Sequence, residues 1–304
     1  MSVGQEPHPA GSSQRWPTPA KDPNGRRHGL FRAVWFTVNA LLVASLFFAA
    51  YSAGWEFSTR RYLEGFSDAI VPATSPGDEK IEAILHWMAH GPARRTSGVE
   101  ASQNDRDPTD TLNYDALLRV CGTATNAFIN LVDTGGMQAR RLLLLDSHQM
   151  TKHVVAEVLV DGRWIIVDPS FRVVLRGEDG KTLTHEELAD PAIFATATRN
   201  IGGYDSSYTY DHTVHIRLAR IHVFGALLRR ILDRTFPGWE DTPTMTLLVE
   251  RESFAALVAS ILLVIFLILL RASLRWYGEK RLGVHSVRIR QQIRKACHAF
   301  LDAT

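Results

Sequence analysis

Three side chains in the middle of the chain, Cys121, His153 and Asp168, have the types that thiol chemistry needs. Cys121 is one of two cysteines, and apolar residues at spacings of three and four follow it as far as Gly135 and Gly136. This spacing predicts a helix that begins at Cys121 and ends before the two glycines. The peptide dipoles of a helix place positive charge at its N-terminus, which favours the ionised form of a thiol there. Cys121 is therefore a candidate reactive thiolate.

His153 and Asp168 belong to a predicted β-hairpin. Two β-rich runs, residues 153–160 and 163–168, flank an Asp-Gly dipeptide, which is typical of a two-residue hairpin turn. The register that such a turn imposes puts His153 opposite Ser170, with Asp168 two residues from Ser170 on the same face. Diagonal neighbours of this kind stand about 7–8 Å apart, within reach of long side chains. A histidine and its orienting carboxylate are thus predicted to point the same way.

A cysteine nucleophile needs a base to accept its proton, and the base needs an acceptor on its other ring nitrogen. Cys121, His153 and Asp168 fill these roles if the helix start lies over the exposed end of the hairpin. The backbone N–H groups of Cys121 and Gly122 would then be available to a developing oxyanion. These residues predict acyl-transfer chemistry at a thiol.

Each of these residues also has a structural alternative. A single cysteine is often a small core hydrophobe, a histidine at a strand start is often a surface residue, and Asp168 ahead of a proline can begin a turn. His148, in a predicted turn, is a competing histidine, and Glu157 shares the strand face of His153. A zinc site of His148, His153 and Cys121 is a further alternative, although no close ligand pair such as C-x-x-C supports it.

Four segments carry a recognisable pattern in chain order. They are Arg-Val-Cys-Gly at 119–122, Gly-Gly-Met-Gln-Ala-Arg at 135–140, His-Val-Val-Ala-Glu at 153–157 and Asp-Gly-Arg-Trp-Ile-Ile-Val-Asp-Pro at 161–169. Together they resemble the transglutaminase-like superfamily over about residues 78–172. The resemblance implies a papain-like core, in which a helix headed by the cysteine packs on an antiparallel sheet. It also implies Cys121 as nucleophile, His153 as base and later acid, and Asp168 as the residue that orients the histidine.

That family includes transpeptidating crosslinkers, cysteine peptidases, amidases and members that have lost activity. The resemblance therefore leaves both an enzyme and a non-catalytic binding module open. The chain departs from the family pattern before Cys121, where no residue stands clearly in the position of the oxyanion donor. Gln103, Asn113 and Tyr114 are the available donors.

Two uncharged apolar runs lie outside this core. Residues 33–55 and 253–270 contain no charged side chain. The 23 residues of the first run are enough for a helix across about 30 Å of hydrocarbon, and the 18 residues of the second run are at the lower limit for such a span. We therefore predict two transmembrane helices. The first run exceeds the about 7–15 apolar residues of a signal-peptide core, but cleavage near the small residues around Ala53 is an alternative. Residues 215–236 have the spacing of a long amphipathic helix.

The distribution of charge predicts the orientation. Residues 1–32 carry five basic and two acidic side chains, residues 271–304 carry eight and two, and residues 56–252 carry 21 and 28. Since basic flanks stay in the cytoplasm, both ends are predicted to be cytoplasmic and the middle domain extracytoplasmic. Cys297 then lies across the membrane from Cys121, so the two cannot form a disulfide within one chain.

The sequence therefore predicts an α+β protein with a papain/transglutaminase-like core flanked by two transmembrane helices. The chain is predicted to begin with a disordered cytoplasmic arm (residues 1–32) and a transmembrane helix (33–55). An extracytoplasmic domain (56–252), a second transmembrane helix (253–270) and a basic cytoplasmic tail (271–304) follow. We expect a bacterial cytoplasmic-membrane protein that carries out thiol-dependent acyl transfer on amide or peptide substrates, by hydrolysis or transamidation.

The alternative function is a non-catalytic module that binds a peptide or an envelope polymer at the membrane. The expected partners are a peptide, protein or envelope-polymer substrate and the lipid bilayer. We expect no cofactor and no metal. We also expect no nucleic-acid partner, because a basic tail beside an apolar run is typical of contact with anionic lipid.

Overall fold

The computed structural model describes residues 23–71, 74–91, 107–216 and 225–282. The helices are α1 (Pro23–Ile70), α2 (Gly77–His90), α3 (Pro108–Thr111), α4 (Cys121–Thr134), α5 (His185–Leu188), α6 (Pro191–Thr198), α7 (Gly225–Thr235), α8 (Pro243–Glu250) and α9 (Glu252–Arg281). The strands are β1 (Ala139–Leu145), β2 (Thr151–Val160), β3 (Arg163–Asp168), β4 (Val173–Val174) and β5 (Thr213–Val214). The described chain is thus α+β, as predicted.

The strands form one antiparallel sheet in the order β4-β3-β2-β1-β5. The β2–β3 hairpin pairs Val160 with Arg163 and continues in that register as far as Ala156 and Val167, which confirms the predicted register over this stretch. The predicted position of Ser170 opposite His153 lies beyond the paired stretch, because β3 ends at Asp168 and Ser170 is in a turn. Asp161 and Gly162 have φ of 50° and 81°. Two successive positive φ values are what the I′ turn of a tight hairpin requires, and Asp-Gly adopts them at low cost.

Helix α4 packs across one face of the sheet, and a second hydrophobic core covers the other face. The first core joins α4 to α2 and to the even-numbered positions of β2, and it includes Ile81, Ile84, Ala124, Phe128, Leu131, Ala156 and Val158. The second core joins the odd-numbered face of β2 to the chain after β4, and it includes Leu142, Leu144, Val155, Ile166, Leu188, Phe194 and Tyr210. Burial on both faces explains why β2 is an almost continuous apolar run.

The chain divides into two compact units, one from residues 1–45 and 263–304 and the other from residues 46–262. In the first unit Val38, Leu42 and Leu267 form a small buried cluster. Helices α1 and α9 are long and apolar enough to cross a membrane. Large apolar side chains lie exposed along both helices, including Phe47 at 74% and Leu262 at 60% of their full accessibility.

The ends of α1 and α9 differ from the predicted segment boundaries. α1 begins at Pro23, so residues 23–32 are helical rather than part of a disordered arm. A helix can extend beyond its apolar run because polar residues close to the run continue its hydrogen-bonded turns. α9 likewise continues past Leu270 to Arg281. The rest of the arm and residues 283–304 of the tail lie outside the described residues.

The amphipathic segment near the end of the middle domain is shorter than predicted. α7 spans Gly225–Thr235, whereas His215 directly follows β5 and is not helical. Residues 217–224 lie outside the described part of the chain. The prediction for His215 was wrong because its side chain is held by tertiary contacts, described below, that helical periodicity does not reveal.

Candidate active site

Cys121 is the first residue of α4. The preceding residue, Val120, is extended with φ −88° and ψ 125°, and a 3-10 turn, Leu117–Arg119, leads into it. Thr123 Oγ1 donates to the carbonyl oxygens of Leu117 and Val120, which ties the first helical turn to the incoming chain. The thiol therefore stands at the end of α4 where unpaired backbone N–H groups concentrate positive potential.

The edge of β2 meets α4 beside this thiol. The β2–β3 pairing ends at Ala156, so Val154 lies beyond it and is open to α4. The Val154 N–H donates to the Cys121 sulfur, and the Val154 carbonyl accepts from Thr125 Oγ1 at 3.1 Å. The helix that carries Cys121 and the strand that carries His153 are thus joined through both backbone groups of one residue.

His153 and Asp168 form a buried pair at the end of the hairpin. The distance from His153 Nε2 to Asp168 Oδ2 is 2.6 Å, and the two side chains are 3% and 0% exposed. Asp168 Oδ1 accepts from the Ser170 N–H at 3.1 Å, the Ser170 hydroxyl at 2.7 Å and the Phe171 N–H at 3.3 Å. With Nε2 held by Asp168, the other ring nitrogen of His153 is the one that faces the Cys121 thiol, with which the ring forms a hydrogen bond.

Aromatic rings surround His153. Tyr208 stacks on it with ring centroids 4.4 Å apart and an interplanar angle of 5°. Tyr204 and Phe171 meet the same ring edge-on, with centroids at 6.0 and 5.9 Å. These contacts restrict rotation of the imidazole, and the π face of Tyr208 stabilises a positive charge on it.

The thiol and the imidazole have opposite pKa shifts. Burial opposes ionisation of Cys121, but hydrogen bonding and charge interaction with His153, together with the Val154 and Gly122 N–H groups, outweigh it and lower the pKa of Cys121. Burial also opposes a charge on His153, yet the Asp168 and Cys121 partners raise the pKa of His153 to about 9. Both shifts favour a thiolate beside an imidazolium, which is the charge state of an activated cysteine nucleophile.

A second carboxylate cluster lies further along β2 and was not anticipated from the sequence as a cluster. Glu157 is fully buried and accepts from Arg140 Nε at 2.5 Å, His185 Nδ1 at 3.0 Å and His215 Nε2 at 2.7 Å. His215 Nδ1 in turn lies 2.8 Å from Asp241 Oδ1. Burial opposes the charge of Glu157, but its cationic and histidine partners lower the pKa of Glu157 to about 2. This carboxylate is committed to an ion network and faces no thiol.

The structure brings Cys121, His153 and Asp168 together in the predicted order, and it separates the competing histidine from them. His148 is exposed in the turn after β1, where its N–H is bonded to Asp146. Across the described ranges, no group of three or more His, Cys, Asp or Glu side chains is arranged to hold a metal ion. The zinc alternative of Cys121, His148 and His153 therefore has no matching geometry.

The candidate oxyanion donors have different surroundings. Asn113 Nδ2 donates to the Thr109 carbonyl at 2.8 Å and to the Tyr62 hydroxyl at 3.4 Å. Tyr114 is half-buried in the turn before the 3-10 segment. Gln103 lies outside the described residues. The amides of the first turn of α4 are the donors that adjoin Cys121 directly.

Two supporting residues were missed by sequence reasoning. Thr125 had a detectable signal, because a polar side chain four residues after Cys121 shares its side of the helix. Tyr208 had none, since it lies far from His153 in the chain and reaches it only through the fold. Comparison of the chain with family models, with curated proteins and with solved structures finds no match.

Proposed function

We propose that residues 46–262 form a transglutaminase-like domain with a papain-like core, which carries out thiol-dependent acyl transfer on amide or peptide substrates. Helices α1 and α9 hold it at a membrane. The observation that carries the proposal is the continuous contact from the Cys121 thiol to His153 and on to the buried Asp168 carboxylate. A buried carboxylate, a histidine and a thiol at a helix N-terminus are the parts that cysteine nucleophiles use on several folds.

In the first half-reaction the Cys121 thiolate attacks the carbonyl carbon of an amide. A C–S bond forms and the carbonyl π electrons move to the oxygen, which becomes an oxyanion. His153 then donates its proton to the amide nitrogen, the C–N bond breaks and the amine leaves. The oxygen returns its electrons to carbon, so that a thioester on Cys121 and a neutral imidazole remain. Asp168 keeps the imidazole oriented throughout.

In the second half-reaction water or another amine attacks the thioester. His153 accepts a proton from this nucleophile, the C–S bond breaks, and the thiolate–imidazolium pair is restored. Water gives hydrolysis and an amine gives a new amide bond. The choice between these products depends on which nucleophile reaches the thioester, a property of the bound substrates rather than of the three reacting residues.

The first turn of α4 supports both charges that form in this sequence. The Gly122 N–H donates to the resting sulfur of Cys121. When the C–S bond forms, negative charge moves from sulfur to the adjacent oxygen, and preorganised N–H groups at a helix N-terminus can stabilise it there.

The domain is further proposed to lie outside a bacterial cytoplasmic membrane, with both flanks in the cytoplasm. The basic flanks at residues 1–32 and 271–304 support this orientation, as does the acidic balance between them. A membrane-impermeant maleimide applied to intact cells should label Cys121 and leave Cys297 unlabelled until the membrane is permeabilised. Labelling of Cys297 in intact cells would overturn the orientation.

A second candidate function is a non-catalytic module that binds a peptide or an envelope polymer. One observation favours it: the half-buried Cys121 packs against the apolar side chains of Leu143, Leu145 and Val154. A cysteine in such a setting can serve as a small hydrophobe. An ordinary thiol pKa for Cys121 would support this function over catalysis.

The decisive test uses the full chain in detergent micelles with Cys297 replaced by alanine, so that Cys121 is the single thiol. An activity-based thiol probe should label this protein, and peptide amidase or amine-incorporation assays should detect turnover. Cys121→Ala should abolish labelling and turnover while the thermal unfolding midpoint stays close to that of the parent. Retained turnover in Cys121→Ala would refute the catalytic proposal.

A further inference from the structure

An open cavity lies between α6 and the chain at residues 201–210. Its volume is about 490 Å³, within the range of about 300–1,000 Å³ that is usual for small-molecule sites. Tyr204 and Tyr208 form part of its wall, and both rings also contact His153. Burial raises the pKa of the Tyr208 hydroxyl, and the charges of Asp205, Cys121 and Asp168 raise it further. The cavity therefore adjoins the proposed reaction centre across one aromatic ring.

The lining of the cavity combines an apolar floor with hydroxyl groups. Leu188, Phe194 and Ile201 supply apolar surface, and Phe194 is 7% exposed. The hydroxyl-bearing side chains Thr198, Ser206, Ser207, Tyr208 and Thr209 also line the cavity, whereas the Tyr204 and Tyr210 hydroxyls are buried and only the rings of these residues contribute to the lining. Such a lining fits a ligand with an apolar stem and several hydrogen-bonding groups.

Arg199 is the charged residue among those that line the cavity. It follows the last turn of α6, and its side chain is exposed. In the described part of the chain Arg199 takes part in none of the ion pairs. By contrast, most of the described arginines within residues 46–262, such as Arg140, Arg163 and Arg176, are paired with a carboxylate. No acidic side chain lines this cavity. The lining therefore favours an anionic group, and a carboxylate matches the planar fork of a guanidinium.

We propose that this cavity binds the acyl part of the substrate, and that this part carries a carboxylate that pairs with Arg199. The inference rests on the proposed function and names its substrate class, a peptide-like acyl donor with an acidic side chain or a free carboxyl group. Arg199 is a specificity-determining residue in this scheme and takes no part in bond making.

The acyl part is assigned to the cavity, rather than the leaving amine, because of the order of events at Cys121. The amine departs after the first half-reaction, whereas the acyl group stays bound through both. Binding energy from a pocket beside His153 can hold the thioester in position for the second nucleophile only if the pocket holds the acyl group.

The test uses the full-length protein with Cys297 replaced by alanine and measures the rate of Cys121 alkylation by matched peptidyl chloromethyl ketones. The reagents carry glutamate or glutamine at one of three successive positions from the reacting carbon, so each pair differs by one charge. At one or more positions the glutamyl reagent should react about threefold to tenfold faster, the size expected for an exposed charge-assisted pair. Arg199→Gln should equalise the two rates, and Arg199→Lys should retain part of the preference.

Two controls separate specificity from general damage. Arg230→Gln removes another exposed arginine that lies outside the cavity and should leave the preference intact. Ala195→Trp places a large ring in the lining and should slow the long reagents severalfold, while the rate with iodoacetamide, which is too small to need the cavity, stays unchanged.

The outcomes distinguish the two proposals. Equal rates for every glutamyl and glutaminyl pair, or a preference that survives in Arg199→Gln, would overturn the assignment of the cavity and leave the reactive thiol standing. A Cys121 that reacts with neither the peptidyl reagents nor iodoacetamide faster than a free thiol would instead overturn the proposed function, and with it the role of Arg199.

Discussion

His153 and Glu157 lie four residues apart on β2 and face the same side of the sheet, yet their clusters have different chemistry. His153 is held between one carboxylate and one thiol, both within hydrogen-bonding reach. Glu157 is held among Arg140, His185 and His215, which donate hydrogen bonds to both of its oxygens. Both clusters are buried, but the second contains no thiol, and both oxygens of its carboxylate accept hydrogen bonds from neighbouring side chains.

The difference shows which property of a buried polar cluster marks a reactive site. Burial and strong pKa shifts are shared, since the pKa of His153 rises to about 9 and that of Glu157 falls to about 2. In the Glu157 cluster the shift reflects a satisfied ion network, whose function is to hold β1, β2 and the chain after β5 together. In the His153 cluster the shift is shared with Cys121, a group whose ionised form attacks carbonyl carbon. Mutations should therefore separate stability from reactivity.

The largest expected effect is on stability, in Glu157→Gln. Loss of the buried negative charge leaves Arg140 without its partner, and breaking a buried ion pair in this way costs about 3–5 kcal/mol in the free energy of unfolding. Denaturant titration of the detergent-solubilised protein, followed by tryptophan fluorescence, measures this loss. Glu82→Gln, which breaks an exposed pair with Arg176, is the matched control and should cost less than about 1 kcal/mol. An equal loss in both variants would contradict the structural role of the Glu157 cluster.

The next effect is on reactivity, in Asp168→Asn. The amide can still accept from Ser170, but it removes the charge that helps to raise the pKa of His153. We expect the rate of Cys121 alkylation at pH 7 to fall about tenfold or more, because the thiolate fraction drops toward that of an ordinary cysteine. Asp190→Asn, at the N-cap of α6, is the matched control and should leave the rate of Cys121 alkylation unchanged. An unchanged rate in Asp168→Asn would show that Asp168 does not act on the thiol through His153.

The two clusters should also respond at opposite ends of the pH scale. The pKa of His153 is about 9 in the folded protein against an ordinary 6.5, so the proton that His153 gives to the leaving amine is lost as pH rises through about 9. The effect of this shift on stability is offset by the lowered pKa of Cys121, because the thiolate–imidazolium pair holds the same one proton as the unfolded thiol and imidazole between about pH 6.5 and 9. The pKa of Glu157 is about 2 against an ordinary 4.5, so its contribution is present above about 4.5 and is lost as pH falls through about 2.

Thermal unfolding across this pH range tests the contrast. Glu157→Gln should reduce the acid slope of the unfolding midpoint between about pH 2 and 4.5. His153→Gln should leave this acid slope in place, because it keeps the Glu157 cluster. In the same series the acyl-transfer rate should decline above about pH 9, where His153 loses the proton that it gives to the leaving amine. A rate that keeps rising beyond that pH would contradict the proposed proton transfer.

The smallest expected effect is in Tyr208→Leu, which removes the ring stacked on His153. A cation–π contact contributes about 0.5–2 kcal/mol, so the alkaline midpoint of the acyl-transfer profile should move down by up to about one pH unit. Tyr208→Phe keeps the ring and should leave the midpoint near its original position. A shift in the phenylalanine variant as large as that in the leucine variant would assign the effect to the hydroxyl rather than to the ring.

The hairpin and α4 were predictable because local physics controls them. A two-residue Asp-Gly turn sets the register from Val160 and Arg163 onward, and this register carries His153 and Asp168 to the same face. Glycine after Thr134 ends the helix that Cys121 begins. The ends of α1 and α9 were less predictable, since helix propensity outside an apolar run leaves only a weak signal.

Contacts between distant parts of the chain were not predictable. Tyr208 and His215 reach His153 and Glu157 only after the chain beyond β4 folds back over the sheet. A single sequence carries no signal for such pairs, because their energy depends on tertiary proximity and not on the residues beside them.

The sequence by itself thus determined the hairpin register, the position of Cys121 at a helix start and the two apolar runs, all of which follow from turn geometry and hydrophobic spacing over short stretches. Only the tertiary structure decided which groups Cys121 meets. Docking of α4 on the open edge of β2 at Val154 brings the thiol to His153. The physical reason is that a backbone edge left unpaired by the end of β3 must find hydrogen-bonding partners, and Cys121 and Thr125 on α4 supply them.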